Sequence, residues 1–273
     1  MGETGRRASV TVAASATCAV LYAIGSLVTA GIISPWGAGQ FRPAVVIPAV
    51  FATIFGALPG GLGAALGTLI ADSAAHGQIY VRSLVSAVPG NFIGFYVFGW
   101  LLRRKFSWAR YFKVSQFTLL LANVIVAFLY VFFRAFIEAS YPQVFVDAWV
   151  AISLGLVAWW YVTMLPFVLL FGPPVIRAVA SAFPGMISEE IKSFSVREEI
   201  PQRSIVVALM VPGLVMLLVG VGTAFADPAV VIAAKLVPSV VILNGIRVMF
   251  LLLGVLLLSL GVVLASLKKA KLR

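Results

Sequence analysis

Eight apolar runs, separated by short polar segments, restrict this chain more than any other feature of its sequence. They cover residues 10–33, 43–58, 61–73, 83–102, 115–137, 149–171, 204–225 and 240–267. A bilayer core offers no water to backbone amides, so a membrane chain must form helices or a closed barrel. The runs do not show the alternating ten-residue segments of a transmembrane barrel. We therefore predict an all-α, polytopic helical membrane protein.

The composition supports this class. Apolar residues make up 62% of the chain and charged residues 11%, whereas a soluble domain carries about a quarter charged residues. The net charge of +11 could indicate a nucleic-acid partner. The basic residues lie instead at the ends of the apolar runs, where membrane topology requires them, so we predict no nucleic-acid binding.

The distribution of basic residues predicts the topology. If the N-terminus is cytoplasmic, 15 of the 20 lysines and arginines fall in inner segments. This bias places both termini in the cytoplasm of a multi-pass cell-membrane protein, and the first run is read as a retained helix. Of the five exceptions, three lie near the outer face, namely Arg42, Arg82 and Arg134. The acidic residues Asp72, Glu138 and Asp147 fall at the same level.

Residues 41–105 contain two unusually short apolar runs, joined at residues 58–61. Each is about 15 residues long, roughly 22 Å as a helix, against roughly 30 Å of hydrocarbon. Gly63 and Gly67 form a GxxxG step, which lets helices approach closely. Two interpretations stay open, namely plain tight packing and a binding cavity closed by short helices.

Polar residues on the fifth run indicate where such a cavity would lie. Asn123, Tyr130, Arg134 and Glu138 are spaced by seven, four and four residues, so they share one helix face. The plain alternative is an Arg134–Glu138 ion pair at the membrane interface. The further candidates for an outward-facing, solute-binding pocket are Trp36, Gln40, Arg42, Asp72, Tyr80, Arg82, Ser86 and Trp160. Arginines near an apolar cavity favour an anionic solute, unless nearby carboxylates neutralise them.

The first six runs resemble the substrate-binding S component of energy-coupling factor (ECF) transporters. Ala19 and Ala23 are similar to the AxxxA step on the first helix of that family, and residues 34–42 resemble its long first loop. The resemblance implies a six-helix bundle over residues 1–172 for uptake of a vitamin or other small solute. It also implies that Ala19 and Ala23 contact a transmembrane T-type subunit, and that separate subunits hydrolyse ATP.

The chain departs from that family after residue 171. We predict a cytoplasmic surface segment at residues 173–203, with a break at Pro184, and an additional two-span hairpin at residues 204–273.

The predicted function is a solute-binding membrane subunit for transport. The chain contains no GxxxxGK[ST] loop, so ATP hydrolysis requires other subunits. The alternative is a membrane sensor or scaffold with a ligand-binding bundle. Cys18 and His76 are the only cysteine and histidine, which argues against an enzyme, a metal site or a cofactor.

Overall fold

The computed structural model describes residues 3–34, 38–103, 106–186, 191, 202–233 and 240–271. The chain divides into two compact units, Met1–Gly31 with Phe41–Glu199, and Ile32–Gln40 with Ile200–Arg273. The described part is helical and contains no strand, only an isolated bridge between Ile33 and Gln40. The all-α class is therefore confirmed.

In its described part, the first unit contains eight α-helices of known bounds. They are α1 (Glu3–Val28), α2 (Val46–Phe55), α3 (Ala57–His76), α4 (Val81–Val85), α5 (Ala87–Arg103), α6 (Trp108–Phe132), α7 (Gln143–Asp147) and α8 (Trp149–Ala182). A 3₁₀ turn at Pro43–Val45 precedes α2, a π-helical turn at Phe133–Ile137 continues α6, and a 3₁₀ turn at Pro184–Met186 follows α8.

The second unit contains three helices in its described part. They are α9 (Gln202–Ala224), α10 (Pro228–Ala233) and α11 (Val240–Lys271). Among the residues that the structure describes, five helical stretches are long and apolar enough to cross a bilayer, which makes this a multi-pass membrane protein. The five are Ala8–Val28, Trp108–Ile137, Ile152–Ala182, Ile205–Ala224 and Leu243–Ser266.

The boundary between the second and third apolar runs differs from the prediction. The chain turns at Gly56, whose φ of 96° suits glycine, and residues 58–61 lie inside α3. Pro59 is tolerated there because it is the third residue of the helix, and the first four N–H groups of a helix have no intrahelical partner. Pro48 in α2 and Pro89 in α5 are also third residues. As a result, α3 has 20 residues instead of the predicted 13.

The sixth predicted run is also longer in the structure. Helix α8 passes through Pro166, Pro173 and Pro174 and ends at Ala182, just before Pro184. Its 34 residues span about 51 Å, more than the roughly 30 Å of hydrocarbon. Residues 173–182 therefore continue this helix. The surface path of the rest of 173–203 stays a prediction, because residues 187–190 and 192–201 lie outside the described residues.

Helices α1 and α3 pack closely through small residues. A Cβ atom on Gly63 would lie 2.4 Å from Cys18 Cβ, and one on Gly67 would lie 2.7 Å from the Ala19 carbonyl oxygen. Ala19 and Ala23 are each only 3% exposed. A partner subunit could reach them only if covering helices moved apart. The geometry thus favours internal packing over the partner-contact surface that the family resemblance implies.

Glycines also bring α9 and α11 together in the second unit. The pairs Gly213–Leu257, Gly220–Leu251 and Gly254–Leu217 run in opposite directions along the two helices, which makes them antiparallel. Arg247 of α11 donates hydrogen bonds to the Thr223 and Ala226 carbonyl oxygens at 2.8 and 2.7 Å. These bonds satisfy carbonyl groups that the C-terminal end of α9 leaves without helical partners.

Candidate functional site

A cluster of arginine and tyrosine side chains lies where α4 meets the C-terminal end of α6. Arg82 Nε of α4 donates to Glu138 Oε2 at 2.8 Å, and the Ser140 hydroxyl lies 3.2 Å from the same oxygen. The side chains of Arg82 and Glu138 are 29% and 25% exposed. This ion pair therefore lies at the edge of the unit, partly open to its surroundings.

Arg134 is held in this cluster by aromatic rings and hydroxyl groups. Its guanidinium carbon lies 4.0 Å from the centre of the Tyr141 ring and 5.8 Å from that of Tyr130. Its Nε donates to the Ser140 hydroxyl at 3.3 Å. Among the described residues, no carboxylate forms an ion pair with Arg134. Arg82, Arg134 and Glu138 together therefore leave one positive charge uncompensated.

Tyrosine rings line the same cluster. Tyr80 stacks on His76 with ring centroids 3.7 Å apart, and its backbone N–H donates to the Ser73 hydroxyl at 3.2 Å. Burial, together with the neighbouring Tyr130, raises the pKa of Tyr80 to about 12. Burial likewise raises the pKa of Tyr141 to about 12. Both phenols are therefore neutral at physiological pH, so their hydroxyl groups can donate hydrogen bonds to a ligand.

The backbone around Arg134 departs from regular helix. At Phe133–Ile137 the helix widens to a π turn, and the Glu138 N–H donates to the Phe133 carbonyl oxygen at 2.9 Å. Ala139 follows with a φ of 49°, which is uncommon for a residue other than glycine. Both features are frequent at functional sites. The π turn also shifts Glu138 out of the i, i+4 position that the sequence spacing implied.

The plain alternative of an Arg134–Glu138 pair is therefore replaced by a different arrangement. Glu138 pairs with Arg82, and Arg134 stacks on Tyr141. The sequence places Arg82 and Glu138 at the same membrane level, but it does not indicate which arginine takes the carboxylate.

A second polar group joins the start of α2 to α3. Arg42 Nη2 forms an ion pair with Asp72 Oδ1, and both residues are buried. The Tyr22 hydroxyl lies beside the same guanidinium. The Asp72 carbonyl oxygen also lies 2.7 Å from His76 Nδ1, which connects this group to the Tyr80 ring. Because Arg42 and Asp72 neutralise each other, the pair is suited to holding the fold and less to binding a charged solute.

The remaining predicted residues are distributed more widely. Ser86 is buried and donates to the Arg82 carbonyl oxygen at 2.5 Å, so it supports α4. Asn123 is buried within α6, and its Nδ2 has no hydrogen-bond partner in the described structure. Trp160 of α8 is buried, so its side chain does not face lipid. Gln40 lies in the second unit, and Trp36 lies outside the described residues.

Sequence reasoning missed three contributors to the cluster, namely His76, Ser140 and Tyr141. The contact between His76 and Tyr80 had no signal in the sequence, because α3 ends at His76 and the chain turns at Gly77 before it reaches Tyr80. By its place just after the fifth apolar run, Tyr141 is typical of aromatic residues at membrane interfaces, and its position over Arg134 follows only from the path of the chain after the π turn.

Comparison with known proteins does not assign this chain to a family. The chain matches no protein-family model, no curated protein and no solved structure.

Proposed function

We propose that this chain is a membrane-embedded substrate-binding subunit for uptake of a small organic solute that carries an anionic group. The observation that carries this proposal is Arg134. Its guanidinium is held by Tyr141 and Ser140 and has no carboxylate partner among the described residues. An arginine fixed in this way is ready to bind a carboxylate through two parallel hydrogen bonds.

The surroundings of Arg134 support an organic solute over a bare inorganic ion. Tyr130 and Tyr141 adjoin Arg134, Tyr80 adjoins Arg82, and aromatic side chains provide apolar area with a polar tip. Small-molecule sites are mostly apolar with a few placed polar groups. Under the proposed topology, with both termini cytoplasmic, the cluster faces outward, where an uptake protein first meets its solute.

The proposal includes partner chains. This chain lacks a phosphate-binding loop for ATP, so energy for uptake is assigned to separate ATP-hydrolysing subunits and a T-type membrane subunit. Vitamin uptake and membership of the ECF transporters belong to the same proposal.

Ligand binding by the purified protein tests the proposal directly. Thermal unfolding in detergent is measured with octanoate and benzoate, and with octanamide and benzamide as uncharged counterparts. We expect the carboxylates to raise the unfolding midpoint and the amides to leave it unchanged. Equal effects of acids and amides, or none from either, would refute the anion site. Native mass spectrometry of mildly solubilised membranes then tests for co-purifying subunits.

A further inference from the structure

We infer that Asn123 forms the inner end of the same binding site and recognises an uncharged hydrogen-bonding group at the far end of the solute. This inference rests on the proposed function and names the solute class more closely. The solute would carry an anionic group at one end and an acceptor, such as a carbonyl oxygen, at the other.

The first argument is the state of the Asn123 side chain. The residue is 4% exposed, and its Nδ2 has no partner in the described structure. A buried polar group without a hydrogen bond costs free energy, and most buried polar groups in proteins have partners. By contrast, Asn91 on the neighbouring α5 donates to the Thr68 hydroxyl at 2.7 Å. Several buried side-chain atoms lack a hydrogen-bond partner in the described structure, and Asn123 Nδ2 is the one among them that lies on the same helix as Tyr130; a bound ligand would explain its unused donor.

The second argument is its position on α6. Asn123 precedes Tyr130 by seven residues within regular α-helix, so both lie on one face, about 10 Å apart along the axis. Ala127, which has only a methyl group, lies between them on that face. Helical side chains lean toward the N-terminus, which directs Tyr130 toward Asn123, and Arg134 Nη1 lies 3.5 Å from the Tyr130 hydroxyl oxygen. A solute bound at Arg134 and extending into the bundle would reach this amide.

The third argument is chemical. Arg134 selects an anion, the tyrosines contact an apolar or planar body, and the Asn123 amide can donate one hydrogen bond to an acceptor. An elongated ω-amido or ω-keto carboxylate satisfies all three. A simple fatty acid of the same length leaves Asn123 unpaired, and a short carboxylate does not reach it.

The test compares two carboxylates of equal shape. The probe 8-amino-8-oxooctanoate carries a terminal amide, and 8-methylnonanoate replaces the amide oxygen and nitrogen by methyl groups. Their affinities are measured by calorimetry on the wild-type protein and on Asn123→Leu. We expect the substitution to lower the ratio of amide to methyl affinity about three- to tenfold, the value of one neutral hydrogen bond. An unchanged ratio would overturn the inference.

Two controls separate the possible failures. Gln116→Leu removes an amide elsewhere on α6, where its Nε2 donates to the helix's own Phe112 carbonyl oxygen, and should leave the ratio unchanged. Succinamate, which is too short to reach Asn123, should bind equally to wild type and Asn123→Leu. If both long carboxylates bind through Arg134 but the ratio does not move, only this inference fails. If neither binds, the proposed function fails with it.

Stability without ligand gives a second readout. Replacing an unsatisfied buried amide by leucine of similar volume should raise the unfolding midpoint of the empty protein. A clear fall in the midpoint would show that Asn123 supports the fold, and would overturn the binding role.

Discussion

Arg82 and Glu138 are separated by 56 residues in sequence, and their side chains meet at 2.8 Å. The contact joins the five-residue helix α4 to the end of the π turn that follows α6. The two side chains are 29% and 25% exposed, so solvent screens the ion pair. It therefore contributes at most about 1 kcal/mol to the free energy of unfolding. Its larger effect is on the charge of the cluster, because Glu138 neutralises one of the two arginines, Arg82.

Glu138→Gln should therefore strengthen anion binding. The amide keeps the shape of the side chain but removes the negative charge that competes for Arg82. We expect the affinity for octanoate, measured by calorimetry, to rise by about fivefold, the equivalent of about 1 kcal/mol. Asp147→Asn is the matched control, because that carboxylate accepts a hydrogen bond from Gln143 on α7. A weaker affinity in Glu138→Gln would argue against an anion site.

Arg134→Ala should weaken the binding of octanoate by about 10- to 150-fold, the value of one charge-assisted hydrogen bond. Arg134→Lys should recover only part of this loss, because an ammonium group cannot stack flat on Tyr141 or hold a carboxylate in bidentate fashion. Lys113 is an exposed lysine near the start of α6 and serves as the control. Lys113→Ala should bind octanoate with wild-type affinity. A folded Arg134→Ala protein with wild-type affinity would reduce Arg134 to a structural role.

The Arg42–Asp72 pair should behave differently, because it is buried. Asp72→Asn or Arg42→Met alone leaves a buried group without its partner, and each should cost about 3–5 kcal/mol of unfolding free energy. The double change Arg42→Met with Asp72→Leu should recover most of that loss. Denaturant unfolding in mixed micelles measures all three. Single variants as stable as wild type would show that the pair adds nothing to the fold.

The small face of α1 should not tolerate larger side chains. Ala19→Leu places extra atoms where α1 and α3 are in close contact at Gly67, which should cost about 1–3 kcal/mol and lower the unfolding midpoint. Val20→Leu, at a neighbouring position that is 53% exposed, should unfold like the wild type. If Ala19→Leu kept full stability but lost co-purifying subunits, the partner-contact role implied by the family resemblance would stand.

Cysteine labelling tests the topology with both termini cytoplasmic. Cys18 is buried, so new cysteines can be introduced at exposed positions with little background. Gln78→Cys and Ser140→Cys should react with a membrane-impermeant maleimide added to intact cells, and Lys113→Cys only after permeabilisation. Labelling of Lys113→Cys in intact cells would reverse the orientation.

The predicted apolar runs locate most of the long helices, because helices buried in lipid or protein consist mainly of apolar residues. The details depend on features that composition does not record. Leu58–Gly61 looks like a turn because it contains Pro59 and two glycines. In the structure Gly56 turns the chain, and Pro59 lies in the first helical turn, where a missing N–H costs nothing.

The charge distribution predicts that Arg82, Arg134 and Glu138 lie near one membrane face, which stays a prediction. The structure brings the three residues into one cluster, but the sequence did not indicate how they pair. The partners depend on contacts between α4 and the end of α6, and on a π turn that no periodicity of 3.6 residues predicts. In the same way, the AxxxA step on α1 identifies a close helix contact, but not whether α3 or another chain supplies it.

The π turn at Phe133–Ile137 is equivalent to one extra residue accommodated within a helix. If the same residues formed regular α-helix instead, everything beyond the turn would lie about 100° further round the axis of α6. Glu138 would then leave Arg82, and Tyr141 would leave Arg134, although every helix of the unit could remain. The charge and shape of the cluster thus depend on one widened turn, and under the proposed function this turn would contribute to the choice of solute.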